Sequence, residues 1–417
     1  MRARRALLVT WAALTLATLL WPHTASAATP GDEFTVWVLT MGPGDHPFFK
    51  FGHNALLIED RLRRRQLVYN FGTFDFQSPT LLRDFMKGRL EYWLSVGSLD
   101  TTLDSYRRQR RSVDGQELDL TPAERRALVN ALEVNALPEH RAYRYDYYRD
   151  NCSTRVRDAI DRIVGGRLRD SASGPARMTW RAHTLRLTAD RLFLSMGLDL
   201  VMGDVIDRPI TEWDEMFLPS RLQEGLREVT RETPDGPVPL VAREASFLRA
   251  DRPALRSTPP NRTAPMLAVG LALGCGLTLL GRLGSSHRAA RVAFGLLVAL
   301  MGVVLGLLGW VFLTFWIATD HVVAHHNENL LQCAPWALAL VVAGPALAMN
   351  IGWGVRLVAR LTAWTAVVAA LALIAKALPW FDQHNGEFIA LLLPTWIGAA
   401  LGSRALSAAS REPSPRT

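Results

Sequence analysis

The sequence predicts an exported α+β domain followed by an all-α bundle of about five transmembrane helices. Three observations lead there. The chain opens with a secretory signal pattern. Its composition turns from charged and mixed to mostly apolar at about residue 262. The polar half alternates strand-like and helix-like runs, whereas the apolar half holds five long hydrophobic segments.

Arg2, Arg4 and Arg5 form a basic start, Ala6 to Trp21 an apolar run, and Ala25-Ser26-Ala27 a small-residue cleavage site. The expected division is a signal peptide at 1–27, an exported domain at 28–232, a Pro- and Arg-rich linker at 233–263, a transmembrane domain at 264–404 and a cytoplasmic tail at 405–417.

The polar half begins with a β-rich run, Glu33 to Met41, broken by Gly42-Pro43-Gly44-Asp45. Phe49 to Glu59 reads as a second strand approached through Gly52. The basic run Arg61 to Arg65 is a solvated hairpin turn, and Leu67 to Gly72 the returning strand. A short helix is expected over Pro79 to Gly88, a strand over Glu91 to Val96 and a helix over Leu99 to Arg111. Thr121-Pro122-Ala123-Glu124 is a capping box with proline at the first helical position, opening a helix that ends near Asn135. Tyr143 to Tyr148 is strand-like. Trp180 to Leu200 is largely helical, and an amphipathic helix runs to about Val229.

Five apolar spans follow, at about 264–281, 292–318, 334–353, 361–379 and 388–404. With the polar domain outside, the loop carrying Arg282, His287, Arg288 and Arg291 lies inside, as do Arg356, Arg360 and the tail after Arg404. The loops His321–Gln332 and Phe381–Glu387 lack Lys and Arg and fall outside, so the positive-inside rule holds at every turn. The expected address is the inner (cytoplasmic) membrane, with the polar domain on its periplasmic face. The formal net charge of +8 is thereby explained by topology. Arg is scattered, with no basic stripe interleaved with aromatics, and this excludes nucleic acid as a partner.

The chemistry centres on Asp150-Asn151-Cys152-Ser153-Thr154. Val156, Ala159, Ile160, Ile163 and Val164 have helical spacing, Asn151 or Asp150 is a fitting N-cap, and Gly165-Gly166 a fitting stop. Cys152 then stands in the first turn, where the helix dipole and unpaired N–H groups favour a thiolate. The bland alternative is a buried core thiol. Only three cysteines exist, and Cys275 and Cys333 lie in or beside apolar runs, unsuited to pair with Cys152. An unpaired thiol in an exported domain points to chemistry. His53, beside Gly52, is the favoured base; His46, His140 and His183 are weaker candidates. Asn70, Asp75 and Tyr145 (or Tyr147 beside it) are candidates for the third group. Asn151 reads as a cap before it reads as an oxyanion donor. In the outer loops His326, Asn327, Asn329, His384 and Asn385 are candidate contacts to a lipid head group or an acceptor peptide. No metal and no cofactor are expected.

A histidine on an early strand followed by a cysteine opening a helix resembles the circularly permuted papain-like folds, among them NlpC-type peptidases and the lecithin retinol acyltransferase group. Phe51 to Asp60, Tyr69 to Phe76, Tyr143 to Asp158 and Asp214-Glu215-Met216-Phe217-Leu218-Pro219 together resemble the Lnb N-terminal periplasmic domain family. His325 to Gln332 and the apolar spans after it are similar to that family's membrane half. The resemblance implies a thiol acyltransferase with Cys152 as nucleophile and His53 as base. It would carry a fatty acyl chain from a membrane phospholipid, through a thioester, to the N-terminal amine of a lipoprotein. Two other readings stand beside it. One is an NlpC-type peptidoglycan hydrolase or a phospholipid hydrolase. The other is an exported binding domain with an inert thiol.

Overall fold

The computed structural model describes residues 29–75, 77–234 and 236–409. The signal segment expected at 1–27 lies outside them. In chain order come β1 (Phe34–Met41), β2 (His53–Asp60), β3 (Arg65–Thr73), α1 (Leu81–Lys87), β4 (Glu91–Ser98), α2 (Leu99–Arg108), β5 (Val113–Leu118), α3 (Pro122–Asn135) and β6 (Ala142–Arg144). Then follow α4 (Cys152–Ile163), α5 (Arg167–Ser171), α6 (Trp180–Thr188), α7 (Leu192–Val201), α8 (Glu212–Glu215), α9 (Pro219–Glu228), β7 (Thr230–Thr233), β8 (Gly236–Pro239) and β9 (Val241–Leu248). Seven strands form one sheet, antiparallel throughout, in the order β6-β4-β3-β2-β1-β5-β9.

β1 and β2 are almost continuously apolar because both of their faces are covered. Val36, Val38, Leu56 and Ile58 are buried with side chains of α3, α4 and α9. Trp37, Leu39, Met41, Ala55 and Leu57 are buried on the other side with Leu99 of α2. This alternation is the period of two that a strand imposes. Each Val, Leu, Ile or Met so buried contributes about 1.5–3 kcal/mol. The central strands are therefore a rigid platform, and the cysteine helix α4 packs on β2 and β3.

Two expectations need correction. The strand expected over Tyr143 to Tyr148 ends at Arg144, because the Asp146 carboxylate accepts the N–H groups of Tyr148 and Arg149, both at 2.9 Å, and folds the chain into a turn. That turn delivers the chain to α4. The stretch read as a linker, 233–263, supplies β8 and the whole of β9, an edge strand of the main sheet. Its arginines looked like linker composition but cover the sheet: Arg243 pairs with Glu117 and lies 4.8 Å over the Trp37 ring, and Phe247 packs edge-on to Trp37 at 5.5 Å.

The apolar half consists of α10 (Thr263–Leu283), α11 (Arg288–Ala318), α12 (Leu340–Ala348), α13 (Gly352–Ala375) and α14 (Gly386–Ala409). Four of these are long and apolar enough to cross a membrane. The third expected span differs. Its helical part, Pro335–Ala348, is short, and it pairs with Val322–Leu331 across a 60° bend, giving up to five spans if the bent pair is one. The short segment runs antiparallel to α11, with Cys333 against Gly309 and Gly344 against Gly295. α10 and α14 touch backbone to backbone; a Cβ on Gly398 would meet the Gly274 oxygen at 2.1 Å. Small residues that permit such approach are what hold helices together where lipid offers no hydrophobic drive.

The two halves are bonded to each other. Arg181 of α6 is buried and donates to Asp207 (2.8 Å), to Asp199 (2.7 Å) and to the carbonyls of Met202 and Gly203. Asp207 in turn accepts the backbone N–H of His384, in the loop before α14, at 3.1 Å. Arg181→Leu would strand two buried carboxylates. It is expected to cost about 3–5 kcal/mol, the usual penalty for breaking a buried ion pair, and to lower the unfolding midpoint in detergent solution. An unchanged midpoint would show that the network contributes nothing.

Candidate active site

α4 begins at Cys152 because Asn151 caps it. The Asn151 Oδ1 accepts the N–H groups of Ser153 (2.8 Å) and Thr154 (3.0 Å), and the Thr154 hydroxyl accepts the Asn151 N–H at 2.8 Å. The Asn151 amide also donates to the carbonyls of Tyr147 (2.9 Å) and Phe217 (3.0 Å). Asn151 therefore shapes the site as a cap with its amide fully engaged. A helix leaves its first N–H groups without intrahelical partners. Those of Ser153 and Thr154 bond the cap, and that of Ser153 also favours the thiolate, so the N–H of Cys152 itself is the candidate donor to a developing oxyanion.

His53 is the first residue of β2. Gly52 before it has φ +84°, and a Cβ there would meet the Met41 oxygen at 2.8 Å, so glycine is what lets the strand start here. β2 and β3 pair Leu56 with Tyr69. Continuing that register sets His53 opposite Gly72, with Asn70 its diagonal neighbour on the same face. A bulge between Asn70 and Thr73 interrupts the ladder to β4 at this point. Gly72, with φ +94°, adds no side chain, and the Cys152 Cβ and His53 Cε1 stand 3.5 and 3.6 Å from where its Cβ would be. The glycine opens the space in which thiol and imidazole meet.

The His53 Nε2 is hydrogen-bonded to the Asn70 Oδ1. An amide oxygen only accepts, so Nε2 carries the proton and Nδ1 is the nitrogen turned to the thiol. The Asn70 amide donates to Thr73 Oγ1 at 3.4 Å, and that hydroxyl is 2.7 Å from Ser95 Oγ on β4. Burial pushes the Cys152 thiol up, but the charge and hydrogen bond of His53, with the backbone N–H groups of Asn54 and Ser153, hold it below the ordinary thiol value. Burial draws the His53 imidazole down, but the Cys152 sulfur and the Asn70 hydrogen bond leave it raised. The two shifts favour a thiolate–imidazolium pair. Asn70→Ala removes a hydrogen bond to the charged ring, worth about 1.5–3 kcal/mol. It is expected to lower turnover roughly 10- to 100-fold while Cys152 remains alkylatable; full turnover would remove Asn70 from the site.

Residues 22–188 match the model of the Lnb N-terminal periplasmic domain family. Over those residues the chain is similar to that family. The match covers His53, Asn70 and Cys152 and stops before α7. No curated protein and no solved structure matches the chain. An Lnb-type periplasmic domain joined to four or five apolar helices makes this a multi-pass membrane protein with a periplasmic domain.

The other candidates in the Lnb-type domain fall elsewhere. Asp75 does not orient His53: it is exposed and accepts the Gln77 N–H in a local turn, because the bulge carries the chain away after Thr73. Tyr145 stacks on Tyr92 at 4.1 Å and meets Tyr147 edge-on at 5.6 Å. Burial, with the nearby Cys152 charge, pushes the Tyr145 hydroxyl well up. The same causes push up Tyr143, whose ring lies 3.9 Å under the Arg155 guanidinium. These rings form an aromatic wall beside the thiol. The sequence reading did not find that wall, although the density of tyrosine just before Cys152 was its visible trace. His183 is buried against Glu215 at 2.6 Å, and His140 sits in an exposed turn, so neither serves as the base.

The outer-loop residues face α7 and the turn after it, beyond the matched residues. Asn327 and Asn329 are buried and donate to the last carbonyls of α7, those of Leu200 and Val201, at 2.9–3.1 Å. Asn385, also buried, donates to Asn329 at 3.1 Å. His384 pairs with Asp207 at 3.2 Å; His326, with φ +53°, packs edge-on to Trp316 and lies 3.6 Å from Asp204. The asparagines thus fasten the two halves, whereas His326 and His384 remain exposed beside them.

Proposed function

We propose that this protein is a thiol acyltransferase with a permuted papain-like periplasmic domain. It takes a fatty acyl chain from a membrane phospholipid and passes it to the N-terminal amine of a lipoprotein, at the outer face of the inner membrane. The observation that carries this is Cys152 at a capped helix start, meeting beside Gly72 a histidine that Asn70 orients, in a domain fastened to several apolar helices. His53 and Asn70 on strands that precede the cysteine helix support the permuted papain-like reading.

The steps follow from the geometry. The Cys152 thiolate attacks the ester carbonyl carbon of the phospholipid. The oxyanion that forms is held by the Cys152 N–H at the positive end of α4. The carbon–oxygen bond breaks as His53 gives its Nδ1 proton to the departing lysophospholipid oxygen. Asn70 keeps the ring turned the same way throughout. A thioester on Cys152 and a neutral His53 remain. The lipoprotein amine attacks the thioester, His53 takes the amine proton, the carbon–sulfur bond breaks, and the thiolate–imidazolium pair is restored. Water in place of the amine would give a hydrolase, the second reading. The aromatic wall of Tyr92, Tyr143 and Tyr145 and the attachment to spanning helices favour transfer, since both substrates are lipid-embedded and tethering raises their effective concentration.

Intact mass of the purified protein with phospholipid tests this. The expected result is a gain of one acyl chain, labile to hydroxylamine and cleared by a diacylated lipopeptide that becomes triacylated. An adduct cleared only by water would make the protein a lipid hydrolase. No adduct with any phospholipid would overturn the reading.

A further inference from the structure

Two short helices of the periplasmic domain expose large apolar side chains. On α1 these are Leu82 (74% exposed), Phe85 and Met86; on the first turn of α7 they are Leu192 and Phe193 (89% exposed). Such clusters mark a surface that something apolar covers. Their attachments say what. The Phe85 carbonyl accepts from the His321 ring at 2.6 Å, and the Lys87 carbonyl accepts the Asp320 N–H at 2.9 Å, just past the end of spanning helix α11. Gly88 lies so close that its Cβ would meet the His321 nitrogen at 2.7 Å. On α7, Ser195 Oγ accepts from Arg262, the residue before spanning helix α10, at 2.8 Å. At its other end Leu200 and Val201 pack against the core of the spanning helices.

α10 and α11 are joined by a tight turn over 284–287, so Arg262 and Asp320 stand at the same end of the bundle. Both apolar clusters are therefore attached at the end of the bundle where α10 and α11 enter the periplasmic domain. The lipid-facing side of α11 runs on without a gap: Trp310, Trp316 and Ile317 are exposed, Phe315 contacts the His321 ring at 5.3 Å, and His321 contacts Phe85 at 5.9 Å. Cations suited to phosphate head groups flank each cluster, exposed Lys87 on one and Arg191 on the other, while Arg83 and Arg89 pair with Asp84 and Asp320. Residues of the Cys152 site are tied to both. Lys50, three residues before His53, pairs with Asp190 at 2.5 Å at the start of the α7 side, and Tyr145 hangs from the Leu90 carbonyl at 3.1 Å on the α1 side.

We propose that α1 and the first turn of α7 are embedded in the outer leaflet of the bilayer, as two apolar prongs that hold the mouth of the Cys152 site at the lipid surface. Their occupant is phospholipid, and the contact exists whether or not acyl transfer occurs.

The test uses the full chain in nanodiscs of phosphatidylcholine and phosphatidylglycerol that include a phosphatidylcholine with a diazirine on its acyl chain. After photolysis, peptides covering 81–88 and 191–197 are expected to carry label several-fold above the peptide with Leu62, which is 80% exposed on the far β2–β3 turn. The spanning helices supply the positive control. Label in the spans but not in the two prongs would overturn the proposal, as would equal label at Leu62. The same pattern is expected in Cys152→Ser, which separates lipid contact from acyl transfer: failure of the thioester assay with the prongs labelled would sink the enzyme reading alone.

Discussion

Cys152→Ser is expected to abolish acyl-adduct formation and lipopeptide acylation, a loss on the order of 10⁴- to 10⁶-fold, the range seen when a covalent nucleophile is removed. The physical cause is the proton. The Cys152 thiol is held below its ordinary value by His53 and by the N–H groups of Asn54 and Ser153, so the nucleophile stands ready as a thiolate. A serine hydroxyl in the same place stays protonated at any working pH. The fold should not notice the exchange. Cys152 is buried beside Val156, Ile160 and Phe71, and oxygen for sulfur changes that packing slightly while the Asn151 cap, which starts the helix, is untouched. The variant is therefore expected to reach the membrane and to melt within a few degrees of the wild type. Activity retained in Cys152→Ser would make the thiol a core residue. Loss of activity together with loss of folding would say nothing about chemistry, and for that reason the melting curve belongs in the same experiment.

The parts of this protein legible from sequence are those set by local pattern. Asn151 and Gly165-Gly166 bracket α4 because capping is local chemistry, and Cys152 at its first turn follows from that alone. Thr121 and Glu124 form the capping box that their spacing requires. What was not legible depends on long-range pairing. Asn70 and Asp75 were equal candidates until the β2–β3 register and the bulge at Asn70–Thr73 turned one towards His53 and the other to solvent. β9 escaped because its arginines resemble a linker until Glu117 and Trp37 are seen beneath them. The outer-loop asparagines looked available for substrate. Asn327 and Asn329 instead meet carbonyls of α7, more than 120 residues away in the chain, and nothing in their own segment announces that partner.

His53→Ala is expected to lower turnover on the order of 10²- to 10⁴-fold, the usual worth of a positioned acid–base group, and to move the thiol titration. The sign follows from the causes. In the wild type the thiol is lowered and the imidazole raised, so the ion pair exists from below the ordinary thiol range to above the ordinary imidazole value. Turnover and alkylation of Cys152 by iodoacetamide should rise with pH as the thiol ionises, earlier than for a free cysteine. Turnover should fall again as the imidazolium loses its proton, later than for a free histidine. Removing His53 deletes the charge and the hydrogen bond that lower the thiol. Burial remains and pushes it up, opposed only by the N–H groups of Asn54 and Ser153. The onset of alkylation should therefore move to higher pH. Asn70→Ala acts on the other limb. The Asn70 hydrogen bond raises the imidazole, so its loss should bring the alkaline fall to lower pH while the thiol's acid limb moves less. The rates are read by mass mapping of the Cys152 peptide, which keeps Cys275 and Cys333 out of the signal. If the alkylation profile is the same in wild type and His53→Ala, thiol and imidazole are not a pair, and the base must be sought elsewhere in the domain.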